Sequence, residues 1–107
     1  MPEADSQLEI SVVVPAYNEQ DNILPLIESV GAALDGRHYE IIFIDDGSSD
    51  ETFERLRSCT DPRLRTIKFR RNFGQTAALD AGSKAARGRV IVPMDADLQN
   101  DPVDIPK

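Results

Sequence analysis

The feature that most constrains this chain is a repeated alternation of short apolar strands with segments of helical periodicity. Apolar, largely β-branched runs fill residues 10–15, 40–44 and 89–94, and residues 64–69 alternate apolar with basic side chains. Nearly unbroken apolar strands are typical of a parallel sheet that is covered on both faces. The order βαβαβαβ therefore predicts an α/β fold: a Rossmann-like, mostly parallel sheet with right-handed connections and helices on both faces.

Each of the first three predicted strands leads into a predicted helix. Asn18 is the expected N-cap of the first helix, with Glu19 and Asp21 in its first turn, where the helix dipole favours negative charge. Residues 48–51 have the sequence of a capping box for the second helix. Residues 72–74 lead into an alanine-rich third helix, whose small side chains predict close packing against the sheet.

The sequence predicts a flexible N-terminus over residues 1–8 and one structured segment over residues 9–107. No repeat or linker divides that segment. The residues Asp101 and Pro102 have the pattern of another helix start, and the sequence ends soon after them. We therefore expect the chain to be a fragment of a longer domain.

The charge balance excludes one large class of partners. Nineteen acidic and twelve basic residues give a net charge of -7, which is the wrong sign for a domain that binds nucleic acid through its phosphates. The single cysteine, Cys59, cannot form an internal disulfide, and neither it nor His38 belongs to a zinc-binding pattern. An apolar signal segment is also absent from the sequence, and these features predict a cytoplasmic location for this segment.

Acidic residues follow three of the predicted strands. Glu19 comes after the first strand, Asp45 and Asp46 after the second, and Asp95 and Asp97 after the fourth. The carboxyl ends of parallel strands meet at one edge of a sheet, so these five carboxylates are expected to converge there. A divalent cation would relieve their repulsion, and oxygen ligands favour Mg²⁺ or Mn²⁺, whose coordination is commonly completed by substrate phosphates. The sequence thus predicts a phosphorylated ligand.

Four sequence blocks carry a resemblance to a known family. They are V-P-A-Y-N-E at 14–19, D-D-G-S-S-D at 45–50, R-N-F-G-Q at 71–75 and M-D-A-D-L-Q at 94–99. In order and spacing the chain resembles the family 2 glycosyltransferases with the GT-A fold. The last two blocks look most like the branch that includes dolichyl-phosphate mannose synthases and undecaprenyl-phosphate glycosyltransferases.

The resemblance implies roles for residues at the nucleotide. Pro15, Ala16, Tyr17 and Glu19 match the family segment that borders the base and ribose, and Tyr17 offers an aromatic face to the base. Asp46 matches an acidic residue that also contacts the nucleoside.

The same resemblance implies roles at the diphosphate. Asp95 and Asp97 match the D-x-D motif that holds the metal, Mg²⁺ or Mn²⁺, and Gln99 matches a residue that lines the donor site. Arg71 follows the third strand, from which it could approach the diphosphate or a lipid phosphate. Arg63, Arg65 and Lys68 are interpreted instead as a solvated strand face.

The implied activity is an inverting, metal-dependent transfer of a sugar from a UDP or GDP donor to a polyprenyl phosphate. The chain would be the N-terminal, nucleotide-sugar-binding half of a GT-A domain, with the remaining catalytic groups after Lys107. Alone it is expected to be inactive, while the longer protein would lie at the cytoplasmic face of a membrane. An apolar surface should face the second half, and a homodimer through that surface is a further expectation.

Two other classes of protein, one signalling and one enzymatic, share part of this pattern, and a third does not. A receiver-type signalling module also binds Mg²⁺ through aspartates, but it would place an acidic pair after the first strand and an aspartate after the third. A nucleotidyltransferase would need a glycine-rich basic loop after the first strand. A Rossmann dehydrogenase would need G-x-G-x-x-G, which this sequence does not contain.

Overall fold

The predicted parallel sheet is present in the computed structural model, which describes residues 8–96. Its strands are β1 (Ile10–Ala16), β2 (Tyr39–Asp45), β3 (Leu64–Lys68) and β4 (Val90–Pro93). They pair in parallel in the order β3-β2-β1-β4. From β1 to β2 and from β2 to β3, each strand is added on the same side of the one before it. Strand β4 instead pairs with the other side of β1. The strand order therefore reverses between β1 and β4, and in open α/β sheets such a reversal leaves a crevice at the carboxyl ends of the strands.

Helices cover both faces of the sheet, as the sequence predicts. They are α1 (Ile23–Ala33), α2 (Thr52–Ser58) and α3 (Gln75–Ala85). The larger apolar cluster lies between one sheet face and α1 and α2, and it includes Val12, Phe43, Leu26 and Leu56. A smaller cluster lies under α3 on the opposite face.

Helix α3 approaches the sheet closely because its inner surface is small. Ala78 and Gly82 are its buried residues. A Cβ atom built on Gly82 would lie 2.4 Å from Val13 Cγ1 and 2.7 Å from Ile44 Cδ1. A larger side chain would push the helix from the sheet, which confirms the prediction of close packing from the alanine-rich sequence.

Both capping predictions are wrong. Helix α1 begins at Ile23 rather than after Asn18, so Glu19 lies outside its first turn. Asn18 has a left-handed backbone (φ 54°), whereas an N-cap residue normally has an extended one. Helix α2 begins at Thr52, and the Ser48 hydroxyl accepts a hydrogen bond from the Asn18 backbone N–H at 2.9 Å. Ser48 thus contacts the loop after β1, and it is Asp50 that accepts a first-turn N–H of α2, that of Thr52, at 2.9 Å.

A buried polar network lies near the amino ends of the strands. The Glu40 carboxylate is buried and accepts hydrogen bonds from Ser11 Oγ (2.6 Å), Arg65 Nε (3.0 Å) and the Arg87 backbone N–H (2.8 Å). Burial raises the pKa of Glu40, but these hydrogen bonds outweigh it and hold the pKa below the usual 4.5. Arg65 is half-buried against Glu40 (2.9 Å), so its interpretation as a solvated side chain is wrong.

Several predictions lie outside the described residues. These are the flexible N-terminus over most of residues 1–8, the helix after Asp101, and the positions of Asp97 and Gln99. Within the part that is described, no helix has the length and apolar character of a membrane span. Strand β4 exposes Val90 and Ile91 along the sheet edge, and the homodimer through an apolar face stays a prediction.

Candidate functional site

A cleft of about 470 Å³ opens at the carboxyl ends of the strands. It is formed by the end of β1 and the loop that follows it, the first residue after β2, the loop into α3, and the residues after β4. Its lining residues are Pro15, Ala16, Tyr17, Glu19, Asp46, Asn72, Gly74, Gln75, Asp95 and Ala96. The cleft therefore lies where the strand order reverses, which is the expected place for a ligand in this fold.

Six of the predicted site residues line this one cleft. The segment from Pro15 to Glu19 provides one wall, and Asp46 and Asp95 lie on others. Tyr17 is 47% exposed, so its ring has a face available for stacking. The Glu19 Oε1 atom accepts a hydrogen bond from Asn22 Nδ2 at 2.8 Å, which orients that carboxylate. These residues are far apart in sequence, and the parallel register brings them together.

Asp46 fixes the loop that enters α3. Its Oδ1 atom accepts the Phe73 backbone N–H at 2.8 Å, and its Oδ2 atom accepts the Gly74 N–H at 3.0 Å and Asn72 Nδ2 at 3.1 Å. A carboxylate oxygen can accept about two hydrogen bonds, so Oδ1 retains one acceptor position. Asp46 can therefore hold the loop and still accept one bond from a ligand in the cleft.

Three cleft residues were not predicted as ligand contacts. They are Asn72, Gly74 and Gln75, which all belong to the R-N-F-G-Q block at 71–75. Gln75 Nε2 lies 3.4 Å from Asp95 Oδ1, across the cleft from α3 to the segment after β4. Asn72, Gly74 and Gln75 come shortly after the third predicted strand. That position could have identified them, because the carboxyl ends of the strands carry the site.

Arg71 does not line the cleft. Its guanidinium lies 4.9 Å from the centre of the Phe73 ring and contributes with Arg70 to a separate surface depression. The backbone at Arg71 is held close to the preceding turn, since a Cβ on Gly47 would lie 2.2 Å from the Arg71 carbonyl carbon. The predicted contact between Arg71 and a phosphate stays a prediction.

The predicted convergence of carboxylates is only partly correct. Asp45 ends β2 with its side chain on the α1 and α2 side of the sheet, and it is fully buried away from the cleft. Its Oδ1 atom accepts the Ser48 N–H at 3.0 Å, and its Oδ2 atom has no hydrogen-bond partner among residues 8–96. Asp46, the first residue after β2, lines the cleft, whereas Asp45 is not among the lining residues.

The described residues supply only part of a metal site. No group of three or more histidine, cysteine or acidic side chains within residues 8–96 is arranged to hold a metal. Asp95 is half-buried in the cleft wall, and its 3.4 Å contact with Gln75 leaves oxygen lone pairs available. Its hard oxygen donors suit Mg²⁺ or Mn²⁺.

Comparison with known protein families identifies the fold that carries this cleft. A family model described as "Glycosyl transferase family 2" matches residues 11–107, almost the whole chain. The chain belongs to glycosyl transferase family 2. The resemblance in the four sequence blocks is thereby confirmed, and the members of this family are glycosyltransferases.

The names of two relatives of this chain each include a polyprenyl phosphate. The dodecaprenyl-phosphate galacturonate synthase of Rhizobium johnstonii is 49% identical over 104 residues, which are 92% of this chain and 31% of the relative. The undecaprenyl-phosphate 4-deoxy-4-formamido-L-arabinose transferase of Edwardsiella ictaluri is 43% identical over 103 residues, 92% of this chain and 32% of the relative. The chain thus spans about a third of the length of these relatives.

Solved structures confirm the GT-A assignment. The mannosyltransferase PcManGT of Pyrobaculum calidifontis, in complex with GDP-Man and Mn²⁺, superposes with a TM-score of 0.75 at 26% identity, covering 83% of this chain and 27% of that one. Glucosyl-3-phosphoglycerate synthase of Mycobacterium tuberculosis, with Mn²⁺, UDP and glucosyl-3-phosphoglycerate, gives 0.74 at 29% identity, covering 97% and 39%. The fold prediction is correct.

Proposed function

We propose that this chain is the donor-binding part of an inverting, metal-dependent glycosyltransferase that transfers a sugar from a UDP or GDP donor to a polyprenyl phosphate. The observation that carries the proposal is that Tyr17, Glu19, Asp46 and Asp95 line the same cleft. The donor type is supported by the nucleotides named in the two similar structures. The acceptor class is supported by the names of the curated relatives.

Each wall of the cleft suits a different part of the donor. The Tyr17 ring would stack on the base, and the Glu19 carboxylate and the remaining acceptor position of Asp46 would receive hydrogen bonds from the nucleoside. Asp95 follows β4, the strand beside β1, and the diphosphate would extend toward it from the ribose. The cleft would thus hold the nucleoside at the ends of β1 and β2 and the diphosphate at the end of β4.

Asp95 and Asp97 would hold Mg²⁺ or Mn²⁺ between the protein and the diphosphate. A bound ion of this kind supplies Lewis acidity, neutralising charge on the departing nucleoside diphosphate. The cleft residues orient the donor, while the acceptor phosphate oxygen, which is already anionic, needs little help from a base. We expect this chain alone to bind the donor without transferring the sugar, and the longer protein to act at the cytoplasmic face of a membrane.

A thermal-shift titration with UDP and with GDP, each with and without Mn²⁺, tests the donor site. A ligand at one hundred times its dissociation constant stabilises the folded state by about 2.7 kcal/mol, which corresponds to several degrees. A shift that requires both Mn²⁺ and one nucleotide would support the proposal and identify the base. The absence of any shift would contradict a donor site assembled within this chain.

Matched variants separate the two regions of the cleft. Asp95→Asn and Asp97→Ala should abolish the Mn²⁺-dependent part of the shift, whereas Asp80→Asn removes a carboxylate from the exposed face of α3 and should not. Tyr17→Ala should weaken nucleoside binding even without metal, while Tyr17→Phe keeps the aromatic face and should retain it. Unchanged binding in Tyr17→Ala would show that the base lies elsewhere.

A further inference from the structure

We infer that Asn18, which does not line the cleft, is a positioning residue that holds Tyr17 and Glu19 in their ligand-binding orientation. The inference rests on the proposed function, because it assigns a role to a residue that lies between two proposed nucleotide contacts. It replaces the helix-capping role predicted from the sequence.

The backbone of Asn18 is held in a sparsely populated conformation. Among residues 8–96 it is the one non-glycine residue with a positive φ, 54°. Asparagine tolerates this left-handed region better than most residues, but the conformation still needs support from its surroundings. This conformation turns the backbone between Tyr17 and Glu19, and both of these neighbours line the cleft.

The side chain of Asn18 supplies that support by binding the loop between β2 and α2. Its Oδ1 atom accepts the Ser49 backbone N–H at 2.8 Å, the Asp50 N–H at 3.3 Å and Ser49 Oγ at 3.3 Å. In return, the Asn18 N–H donates to Ser48 Oγ at 2.9 Å. One short side chain therefore connects the ligand loop to a second loop about thirty residues later.

Neighbouring contacts continue the connection on both sides. The Glu19 backbone N–H donates to Thr52 Oγ1 at 2.9 Å, and the Glu51 N–H donates to Gln20 Oε1 at 2.9 Å. Thr52 is itself buried at the start of α2. The ligand loop is thus tied to a packed helix. Because the Glu19 and Gln20 contacts remain when those of Asn18 are lost, we expect Tyr17 and Glu19 to become less well positioned while the core stays intact.

Three substitutions at Asn18 distinguish the effect of its left-handed backbone from the effect of its side-chain acceptor. Asn18→Gly retains the left-handed φ and removes the acceptor, Asn18→Asp retains an acceptor oxygen, and Asn18→Ala loses the acceptor and strains the backbone. Ser48→Ala removes one partner and leaves the Asn18 side chain in place, so a smaller effect is expected. Asn18→Gly is the decisive variant if Asn18→Ala fails to fold, because glycine adopts this φ without strain.

The test combines hydrogen exchange of the free chain with calorimetric titration of UDP and GDP in the presence of Mn²⁺. In Asn18→Gly, exchange at the Ser49 and Asp50 amides should accelerate, and the nucleotide dissociation constant should rise about tenfold, the effect of roughly one lost hydrogen bond. Asn18→Asp should restore both to within about twofold of the unsubstituted chain. A merely structural role would move the unfolding midpoint without this pattern of loss and rescue in affinity.

Two negative outcomes have different meanings. If the unsubstituted chain binds nucleotide and Asn18→Gly binds it equally well, the positioning role is overturned while the proposed function stands. If the unsubstituted chain binds neither UDP nor GDP with Mn²⁺, the donor site in this chain is overturned, and the role of Asn18 at that site with it.

Discussion

Two buried carboxylates at opposite ends of the same sheet have very different surroundings. Glu40 and Asp46 are each 4% exposed, and each accepts hydrogen bonds from three other residues. The donors to Glu40 include the guanidinium of Arg65, whereas the donors to Asp46 are neutral amides. Only Asp46 lines the large cleft at the carboxyl ends of the strands.

The comparison shows that burial of a carboxylate does not by itself identify a functional site. Glu40 ties α3 to the sheet through a closed network in which a cation balances its charge. Asp46 orders a loop at the rim of an open cleft and retains an acceptor position there. What distinguishes a stabilising carboxylate from a ligand-binding one is the charge of its hydrogen-bond donors and whether it borders an open cleft.

The largest expected effect comes from breaking the Glu40 network. Glu40→Gln should lower the free energy of unfolding by about 3 kcal/mol, because Arg65 would remain half-buried without its counter-charge. Urea unfolding measures this change, with Asp80→Asn as an exposed control that should leave the midpoint unchanged. Nucleotide affinity measured well below the unfolding temperature should not change. A large loss of affinity would mean that the two ends of the sheet are coupled.

A smaller loss of stability, accompanied by a loss of binding, is expected at Asp46. Asp46→Asn replaces one acceptor oxygen by a donor amide that faces N–H groups, which should cost about 2 kcal/mol. The loop through Asn72 and Gly74 should loosen, and nucleotide affinity should fall with it. Calorimetric titration beside urea unfolding checks both effects. Stability lost without any change in affinity would remove this loop from the binding site.

The smallest expected effect is a pH dependence that belongs to Glu40. Its pKa in the folded chain lies below the usual 4.5, so its stabilisation is fully present above that value and is lost as pH falls through the folded pKa. The difference in unfolding free energy between the unsubstituted chain and Glu40→Gln should therefore be smaller below pH 4.5 than at pH 7.

Urea unfolding of both chains across this pH range checks that prediction. Asp50 also has a lowered pKa, because hydrogen bonds from Thr52 and Gln20 outweigh the effect of its burial. That contribution is common to both chains and cancels in the difference. An equal difference at every pH would show that the charge of Glu40 is not what stabilises the network.

Local sequence determined the elements and the end of the sheet that carries the cleft. The apolar runs at β1 and β2 predict buried parallel strands, and the residues directly after them predict where a ligand would lie. Gly82 and the alanines of α3 predict the close packing on that face. These features depend on side-chain size and on strand alternation, which can be inferred over a few residues.

Tertiary structure alone decided which polar groups meet. Asn18 has the sequence of a helix cap, yet its side chain binds the Ser49 and Asp50 amides of another loop. Arg65 has the pattern of a solvated side chain, yet it pairs with Glu40 from a neighbouring strand. Asp45 and Asp46 are adjacent in sequence, but only Asp46 lines the cleft. Hydrogen bonds and ion pairs are short-ranged, so their partners follow from strand order and register, which bring distant residues within 3 Å of one another.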